Sequence, residues 1–275
     1  MSARILDTHC HLASAKFSGE AEDVIVRAVD AGTGGMLTLS TCFDDMPANL
    51  ALAAAHPGLV VAAVGIHPCD THEVDSAGDW KDRLLEMAAA PGVAAIGESG
   101  LDYYHPPPDG WDEEDFRARQ REMLRGHFEV AAAAGLGIVL HTRDRSGRAS
   151  LEDALAVARD FKGRVRPQFH CFLGPWEAAP AILDLDGIVS FGGVITFPSA
   201  KETLAAAVAA PAGSFTLETD SPYLAPVPHR GKRNEPAYVL ATARHLASAR
   251  GESLESLAEH TTKAARAFFR WPEPA

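Results

Sequence analysis

Two histidines separated by one residue, in the stretch DTHCHL (7–12), are the first residues that could do chemistry. Alternate residues of an extended strand point the same way, so His9 and His11 would share one side and Cys10 the other. Two imidazoles directed at one point could form half of a metal site. Four further residues of ligand type lie at or near the ends of later apolar segments: Glu98, His141, His170 and Asp220.

These six residues form a nitrogen and oxygen donor set suited to Zn²⁺, Mn²⁺ or a similar divalent ion. They exceed the need of one tetrahedral ion that keeps an open position, so we expect two divalent metal ions (Zn, Mn or Mg). A metal pair lowers the pKa of a shared water and holds the oxygens of a phosphoryl centre. Glu98 is the best bridging candidate, because the segment that it closes lies between those of the other ligands.

A second set of residues could contact a substrate. His67 ends an apolar segment in VGIHP, where a structural role is equally well supported because Pro68 would fix the loop. Tyr103 follows Glu98 in GLDYYHPPPDGW, a stretch that could instead be a stiff surface loop. Basic residues after the fifth and eighth segments could hold phosphate groups beside the metals, or could pair with carboxylates and solvent. These residues are Arg143, Arg230, Lys232 and Arg233.

The elements that must position these residues are eight short segments rich in β-branched and apolar residues. Several are continuously apolar, which is typical of parallel strands covered on both faces, and alanine-rich stretches of helical period lie between them. Gly32, Gly92 and Gly135 lie where helix C-caps would fall. The predicted strands are 3–9, 35–41, 59–68, 92–98, 136–142, 165–172, 187–194 and 214–220.

Strand and helix alternating eight times over about 270 residues predict an α/β fold, the (β/α)8 TIM barrel. The active site of such a barrel lies at the carboxyl ends of its strands, so all six candidate ligands would converge there. A doubly wound open sheet is the alternative, but its G-x-G-x-x-G turn does not follow the first segment. We expect a single domain over residues 1–275, with a helical tail from about 235.

Composition and charge disfavour several classes of function. The net charge of −12 argues against a broad, sequence-independent grip on nucleic acid, although it leaves room for a local phosphate site. No apolar run reaches the roughly 18 residues that cross a bilayer, so we expect no membrane association. The four cysteines form no C-x-x-C pair, which disfavours a zinc knuckle and a disulfide framework. The stretch MSARILD lacks the order of a signal peptide, and we expect a cytoplasmic protein without an obligate protein partner.

Taken together, these motifs resemble those of the TatD family of metal-dependent hydrolases, within the amidohydrolase-like barrels. The matching stretches run from residue 7 to residue 269 and are DTHCHL, VGIHP, IGESGLDYY, IVLHTRD, FHCFLG, VSFGGVITF, LETDSPYLAPVPHRGKRNEPAYV and TTKAARAFF. The chain departs from the family pattern at two positions. The family usually has Asp soon after the H-x-H pair, where this chain has Ala13, and Asn in the last helix, where this chain has Ala264.

The resemblance implies a (β/α)8 barrel with two divalent metals and hydrolysis of DNA phosphodiester bonds, often from the 3′ end. It also implies a division of the six ligands, with one metal on His9, His11 and Asp220, a second on His141 and His170, and a bridge at Glu98. Asp220 would be placed to take a proton from the attacking water. Asp220 and Glu98 are therefore the expected catalytic residues.

The leading hypothesis is a divalent-metal-dependent deoxyribonuclease that acts on DNA ends or short single strands with a metal-activated water. A metal-dependent esterase or amidohydrolase, such as a deacylase of D-aminoacyl esters on tRNA, is the alternative, because the same metal pair polarises a carbonyl. A barrel that binds metal or a partner without catalysis is a third hypothesis. It predicts missing ligands, and none of the six is missing.

Overall fold

Eight parallel strands form the centre of the protein, and they pair in sequence order from β1 to β8. The computed structural model describes residues 4–272, so Ala3, the first residue of the first predicted strand, lies outside the described range. An isolated parallel bridge between Cys10 and Ser221 joins the ends of β1 and β8. The strands are β1 Ile5–Cys10, β2 Thr33–Leu39, β3 Val60–Val64, β4 Val93–Tyr103, β5 Gly137–Asp144, β6 Pro167–Phe169, β7 Ile188–Phe191 and β8 Phe215–Leu217.

Helices alternate with these strands, and the predicted (β/α)8 barrel is confirmed. The single-domain organisation over residues 1–275 stays a prediction. In the part of the chain that the structure describes, the helices are α1 Ala21–Ala31, α2 Met46–Ala55, α3 Trp80–Ala88, α4 Glu113–Ala134, α5 Ala149–Arg159, α6 Pro180–Leu183, α7 Lys201–Ala209, α8 Val239–Arg250 and α9 Leu254–Phe269.

The last two strands that carry candidate ligands are shorter than predicted. β6 ends at Phe169 and β8 ends at Leu217, before the candidate ligands His170 and Asp220. Asp220 adopts a positive φ of 56°, in the left-handed region, so the chain has left the extended conformation there. His170 and Asp220 therefore lie in the loops that directly follow β6 and β8, at the carboxyl end of the barrel.

Helix ends agree with the predicted glycine caps at two of three positions. Gly32 and Gly135 take left-handed conformations directly after α1 and α4, and their N–H groups bond to the last turn. Gly92 is different, because α3 ends at Ala88 and Ala89 is its C-cap. Gly92 instead has a φ of +86° in the turn that leads into β4. The prediction of a cap at Gly92 is wrong, since the turn after the helix is three residues longer than assumed.

Apolar side chains of α9 and of Trp271, which follows it, cover the amino-terminal end of the barrel. Phe268 and Trp271 are buried there with Leu6 of β1 and Val139 of β5. Burial of one such large apolar side chain stabilises the fold by about 1.5–3 kcal/mol. Ala264, one of the two departures from the family pattern, belongs to the same cluster. The predicted helical tail thus forms part of the barrel's packing through α9.

A polar layer lies inside the barrel. The side-chain amide of Gln168 on β6 donates to the hydroxyls of Thr8 on β1 at 3.3 Å and of Thr216 on β8 at 2.9 Å. The Thr8 hydroxyl donates in turn to the carbonyl of Leu217. All three side chains are fully buried, so these bonds satisfy groups that water cannot reach.

None of the described helices is both long enough and apolar enough to cross a membrane. The expected cytoplasmic location stays a prediction.

His127 links α4 to the segment that leads to His67. Its Nε2 accepts the backbone N–H of Ile66 at 3.0 Å, and its Nδ1 donates to the carbonyl of Met123 at 2.7 Å. Burial lowers the pKa of this imidazole from 6.5 to about 4, opposed by the bond to Met123. The neutral ring is therefore the form that the folded protein holds.

We expect His127 to make the protein less stable in acid. Because the folded pKa is below the unfolded one, its contribution to stability is lost as pH falls from about 6.5 to about 4. Between about pH 7.5 and pH 5 this residue should lower the free energy of unfolding by about 2 kcal/mol. Urea unfolding of the native chain and of His127→Gln at both pH values measures this change in the free energy of unfolding. An equal decrease in the free energy of unfolding of both proteins would show that His127 does not cause the acid sensitivity.

Candidate metal centre

The six predicted ligands meet at the carboxyl end of the barrel. They come from different strands or from the loops that directly follow them, as the barrel requires. His9 lies in β1, Glu98 in β4 and His141 in β5. His11, His170 and Asp220 follow β1, β6 and β8.

Irregularities in two strands direct candidate ligands inward. β1 contains one more residue than β2 between the pairs Asp7–Met36 and Cys10–Thr38. β4 similarly contains one more residue than β5 after Ile96. An extra residue in one strand bends it and redirects the side chains there. His9 lies in the first irregularity and Glu98 in the second, so simple alternation along these strands does not describe where the two side chains point.

A close approach of β4 to β5 places His141 beside Glu98. A Cβ atom at Gly100 would lie 2.0 Å from the carbonyl oxygen of His141, which no side chain could accommodate. Gly100 also has a φ of +143°, which L residues rarely adopt. The contact between the two strands therefore depends on glycine at this position.

The carboxylate of Glu98 faces both groups of histidines, one with each oxygen. Its Oε2 lies 3.3 Å from Nε2 of His9 and 3.5 Å from Nε2 of His11. Its Oε1 lies 2.9 Å from Nε2 of His170 and 3.1 Å from Nδ1 of His141. Glu98 thus has the geometry of a bridging carboxylate between two sets of ligands.

The first set consists of His9, His11 and Asp220. The Nε2 atoms of the two histidines lie 3.3 Å apart, and Oδ1 of Asp220 lies 3.5 Å from Nε2 of His11. Nδ1 of His11 lies 3.2 Å from the carbonyl of Leu39, to which it can only donate. This bond puts the proton on Nδ1 and leaves the lone pair on Nε2 facing the other ligands.

The second set consists of His141 and His170, whose Nδ1 and Nε2 atoms lie 3.3 Å apart. The other nitrogen of His141, Nε2, lies 3.0 Å from Oδ2 of Asp102. A carboxylate in this place accepts the Nε2 proton and leaves the Nδ1 lone pair toward Glu98. Both sets therefore present imidazole lone pairs and carboxylate oxygens to common points, a donor set that fits divalent cations.

The electrostatics of the carboxylates agree with this fit. Burial alone would raise the pKa of Glu98, but the charges of His170 and His9 hold it well below its usual range. Burial likewise opposes ionisation of Asp220, yet its hydrogen bond with His11 lowers the pKa. Both carboxylates are therefore charged at neutral pH, as metal ligands must be.

Sequence reasoning missed Glu218, which supports His170. Its Oε1 lies 3.5 Å from Nδ1 of His170 and accepts the N–H of Cys171 at 2.8 Å, while Oε2 accepts the Ser190 hydroxyl. The side chain is fully buried. Its position two residues before Asp220, within the predicted strand 214–220, was the available signal, because alternate residues of a strand share a side.

Asp7 is a second supporting residue, and it joins the ends of β1 and β8. Its carboxylate accepts the Thr219 N–H at 2.9 Å, the Thr219 hydroxyl at 2.6 Å and the His9 N–H at 3.3 Å. Burial raises the pKa of Asp7 to about 8 in spite of these bonds. The three bonds hold the backbone that carries His9 against the strand that leads to Asp220.

Five of the six candidate ligands, all except the fully buried His9, line a cavity of about 840 Å³. Two of the predicted substrate contacts, His67 and Arg143, line it. Nε2 of His67 lies 3.8 Å from Oε1 of Glu98, and the guanidinium of Arg143 lies over the ring of Tyr104 at 4.1 Å. Ala13, the other departure from the family pattern, also lines the cavity.

The prediction of a substrate contact at Tyr103 does not agree with the structure. Tyr103 is buried, and its hydroxyl donates to Asp153 of α5 at 2.7 Å, while the guanidinium of Arg117 lies over its ring. The reason is strand alternation, since Tyr103 lies an odd number of residues after Glu98 and points to the opposite side, whereas Asp102 shares the cavity side with Glu98.

The structure also does not bring the three basic residues after β8 into the cavity. The guanidinium of Arg233 pairs with Glu20 at 2.8 Å and with Glu235 at 3.3 Å. That of Arg230 lies over the ring of Phe197 at 4.4 Å, and Lys232 is exposed on the turn between them. Of the described lysine and arginine residues, Arg143 alone lines the cavity.

Comparison with known proteins identifies the family. A family model described as TatD related DNase matches residues 6–270. The chain belongs to the TatD family. A relative from Escherichia coli, YcfH, is named an uncharacterized metal-dependent hydrolase and is 35% identical, covering 94% of this chain and 92% of its own. The resemblance inferred from the motifs is thus confirmed.

Two further TatD proteins extend the comparison. A relative from Edwardsiella piscicida named 3′-5′ ssDNA/RNA exonuclease TatD is 30% identical, covering 97% of this chain and 99% of its own. The crystal structure of YjjV, a TatD homologue from Escherichia coli, superposes with a TM-score of 0.86 at 26% identity. That match covers 99% of this chain and 100% of YjjV, so the barrel described above is that of the TatD fold.

We expect Glu218→Gln to weaken binding of Zn²⁺ by about 10- to 100-fold, because the neutral amide no longer holds the Nδ1 proton of His170 electrostatically. Competition with a chelating indicator measures the affinity. Glu202→Gln, a change of the same chemistry on the exposed surface of α7, is the matched control and should bind Zn²⁺ like the native chain. Equal affinities in all three proteins would show that Glu218 does not position a ligand.

Proposed function

We propose that this protein is a divalent-metal-dependent nuclease that hydrolyses phosphodiester bonds of DNA from the 3′ end of short single strands. The observation that carries the proposal is the division of the Glu98 carboxylate between two ligand sets. Two cations held by these sets would lower the pKa of a water and neutralise charge on phosphoryl oxygens. The six residues that would hold them are His9, His11, Glu98, His141, His170 and Asp220.

The surroundings of the ligands support a phosphate-containing substrate. The positively charged side chain of Arg143 lines the cavity, and a guanidinium can bind a phosphate with two parallel hydrogen bonds. The printed name of the Edwardsiella relative, an exonuclease on single-stranded DNA and RNA, agrees with this class. The net charge of −12 favours a short strand end over a long duplex, because a duplex would need a broad basic surface.

Two side chains have roles of their own in this proposal. Asp220 is a charged carboxylate that lines the cavity, and in this proposal it would accept the proton of an attacking water. Nδ1 of His67 accepts the N–H of Cys69 at 3.2 Å, which leaves the ring proton on Nε2. Burial lowers the pKa of His67 to about 3, so the ring is neutral. His67 would therefore donate one hydrogen bond from Nε2 to a substrate oxygen.

The direct test is digestion of a single-stranded DNA oligonucleotide labelled at its 5′ end, with Mg²⁺, Mn²⁺ or Zn²⁺ added to chelator-treated protein. We expect a ladder of products shortened from the 3′ end. Glu98→Ala should lower the rate by at least about 100-fold, since it removes a charged group from the reaction centre. Glu202→Ala, on the surface of α7, should cleave like the native chain.

An aminoacyl ester of tRNA is tested in parallel, because a metal pair also polarises a carbonyl. Ester hydrolysis without any phosphodiester cleavage would overturn the nuclease proposal in favour of the deacylase. Full activity of Glu98→Ala would overturn the bridging role of that carboxylate.

We expect Arg143→Gln to lower kcat/KM for the oligonucleotide by about 10- to 100-fold, the usual loss when a hydrogen bond to a charged group is removed. Arg233→Gln is the control, because that guanidinium pairs with Glu20 away from the cavity. A smaller effect of Arg143→Gln than of Arg233→Gln would contradict the placement of the phosphate contact. Steady-state kinetics at constant salt measures both.

A further inference from the structure

A third cluster of ligand-type side chains lies beside the candidate metal centre and shares none of its six residues. It consists of Cys69, Asp102 and His105, whose donor atoms all lie within 4.8 Å of one another. Oδ2 of Asp102 lies 2.9 Å from Nδ1 of His105, and Sγ of Cys69 lies 3.9 Å from the same nitrogen. Sulfur, imidazole nitrogen and carboxylate oxygen are the three donors that Zn²⁺ takes in proteins.

We propose that this cluster is a third cation site, specific for Zn²⁺ or a cation of similar softness. Three protein ligands leave one position of a tetrahedral ion open. Asp102 and His105 line the cavity, so a ligand entering from the cavity can take that position. A thiolate donor distinguishes this site from the six-residue centre, whose donors are nitrogen and oxygen, and it disfavours Mg²⁺, which prefers oxygen.

The three ligands are held by two parts of the fold. Cys69 belongs to the 3-10 helix Pro68–Glu73, which follows β3 and His67. Asp102 is a buried residue near the end of β4, and its Oδ1 accepts the backbone N–H groups of Tyr104 and His105 at 2.9 and 2.8 Å. These two bonds fold the chain back, so that the ring of His105 returns to the carboxylate of Asp102. The donors of Asp102 and His105 are thus arranged before any cation binds.

Asp102 connects the third site to the candidate metal centre. Its Oδ2 faces Nδ1 of His105 and also lies 3.0 Å from Nε2 of His141. A carboxylate oxygen has two lone pairs, so Oδ2 can bind a cation and still accept the proton of His141. A cation there withdraws charge from the acceptor of His141, so occupancy of the third site changes the donor strength of a ligand of the centre. This coupling rests on the proposed function, whereas the cation site itself does not.

The proton balance of binding is simple. Sγ of Cys69 forms a bond with the cation as a thiolate, and the thiol proton leaves to solvent. His105 turns its Nδ1 lone pair to the cation and carries its remaining proton on Nε2, and its ring is 48% exposed and open to water. No oxidant or further reactant takes part.

The test uses Co²⁺ as a probe on the full-length protein stripped of metal with a chelator. A thiolate bound to Co²⁺ gives a sulfur-to-metal charge-transfer band in the near ultraviolet, which nitrogen and oxygen ligands do not give. We expect this band to rise during the titration and to disappear when Zn²⁺ is added. Cys69→Ser should lose the band and bind one equivalent of Co²⁺ less, while His105→Gln should need at least about ten times more Co²⁺ for half of the band.

The matched control is Cys42→Ser, which changes another cysteine that lines the cavity but lies outside the cluster, and it should keep the band. Absence of the band in the native protein at saturating Co²⁺, or its survival in Cys69→Ser, would overturn the third site. His105 is exposed, so His105→Gln tests the site without disturbing packing. The band is read without any substrate, so failure of the nuclease proposal leaves this result interpretable, and the reverse also holds.

Discussion

The buried carboxylate of Glu98 is the constraint on which the carboxyl end of this barrel depends. A charge removed from water must be surrounded by compensating groups, and here four imidazoles approach its two oxygens within 3.5 Å. The extra residue in β4 and the glycine contact with β5 at Gly100 are local requirements of that arrangement. Both features interrupt the regular geometry of β4. They direct the Glu98 carboxylate to a point that ligands from both sides of the barrel reach.

Closure of the barrel is the second requirement, because the first ligand set is divided between the two ends of the sheet. Asp7 binds the backbone and hydroxyl of Thr219, and the N–H of His11 donates to the carbonyl of Ser221 at 2.8 Å. These contacts bring Asp220 to the histidines of β1 although more than two hundred residues separate them in the chain. The ligand set can therefore form only when the whole barrel has folded, which couples the site to global stability.

The sequence allowed prediction of the barrel and of the convergence of six side chains, because strand periodicity and the barrel's geometry determine both. Finer features depended on information that local patterns lack. The inward direction of Glu98 follows an irregularity in β4 that the sequence does not reveal. The pairing of Arg233 with Glu20 joins residues 213 positions apart. Glu218 was accessible through the period of two before Asp220, whereas Asp102 gained its importance only from the fold, which brings it to His141.

The apolar cap over the amino-terminal end of the barrel determines whether a polymer in the cavity could pass through the molecule. With Phe268 and Trp271 packed there and the buried layer of Gln168, Thr8 and Thr216 inside the barrel, packed side chains fill the route from the cavity to the amino-terminal end. A polymer whose end reached the candidate ligands could not thread onward through the barrel. In the proposed nuclease reaction, a strand end would therefore stop at the candidate ligands instead of passing through the molecule as through a channel.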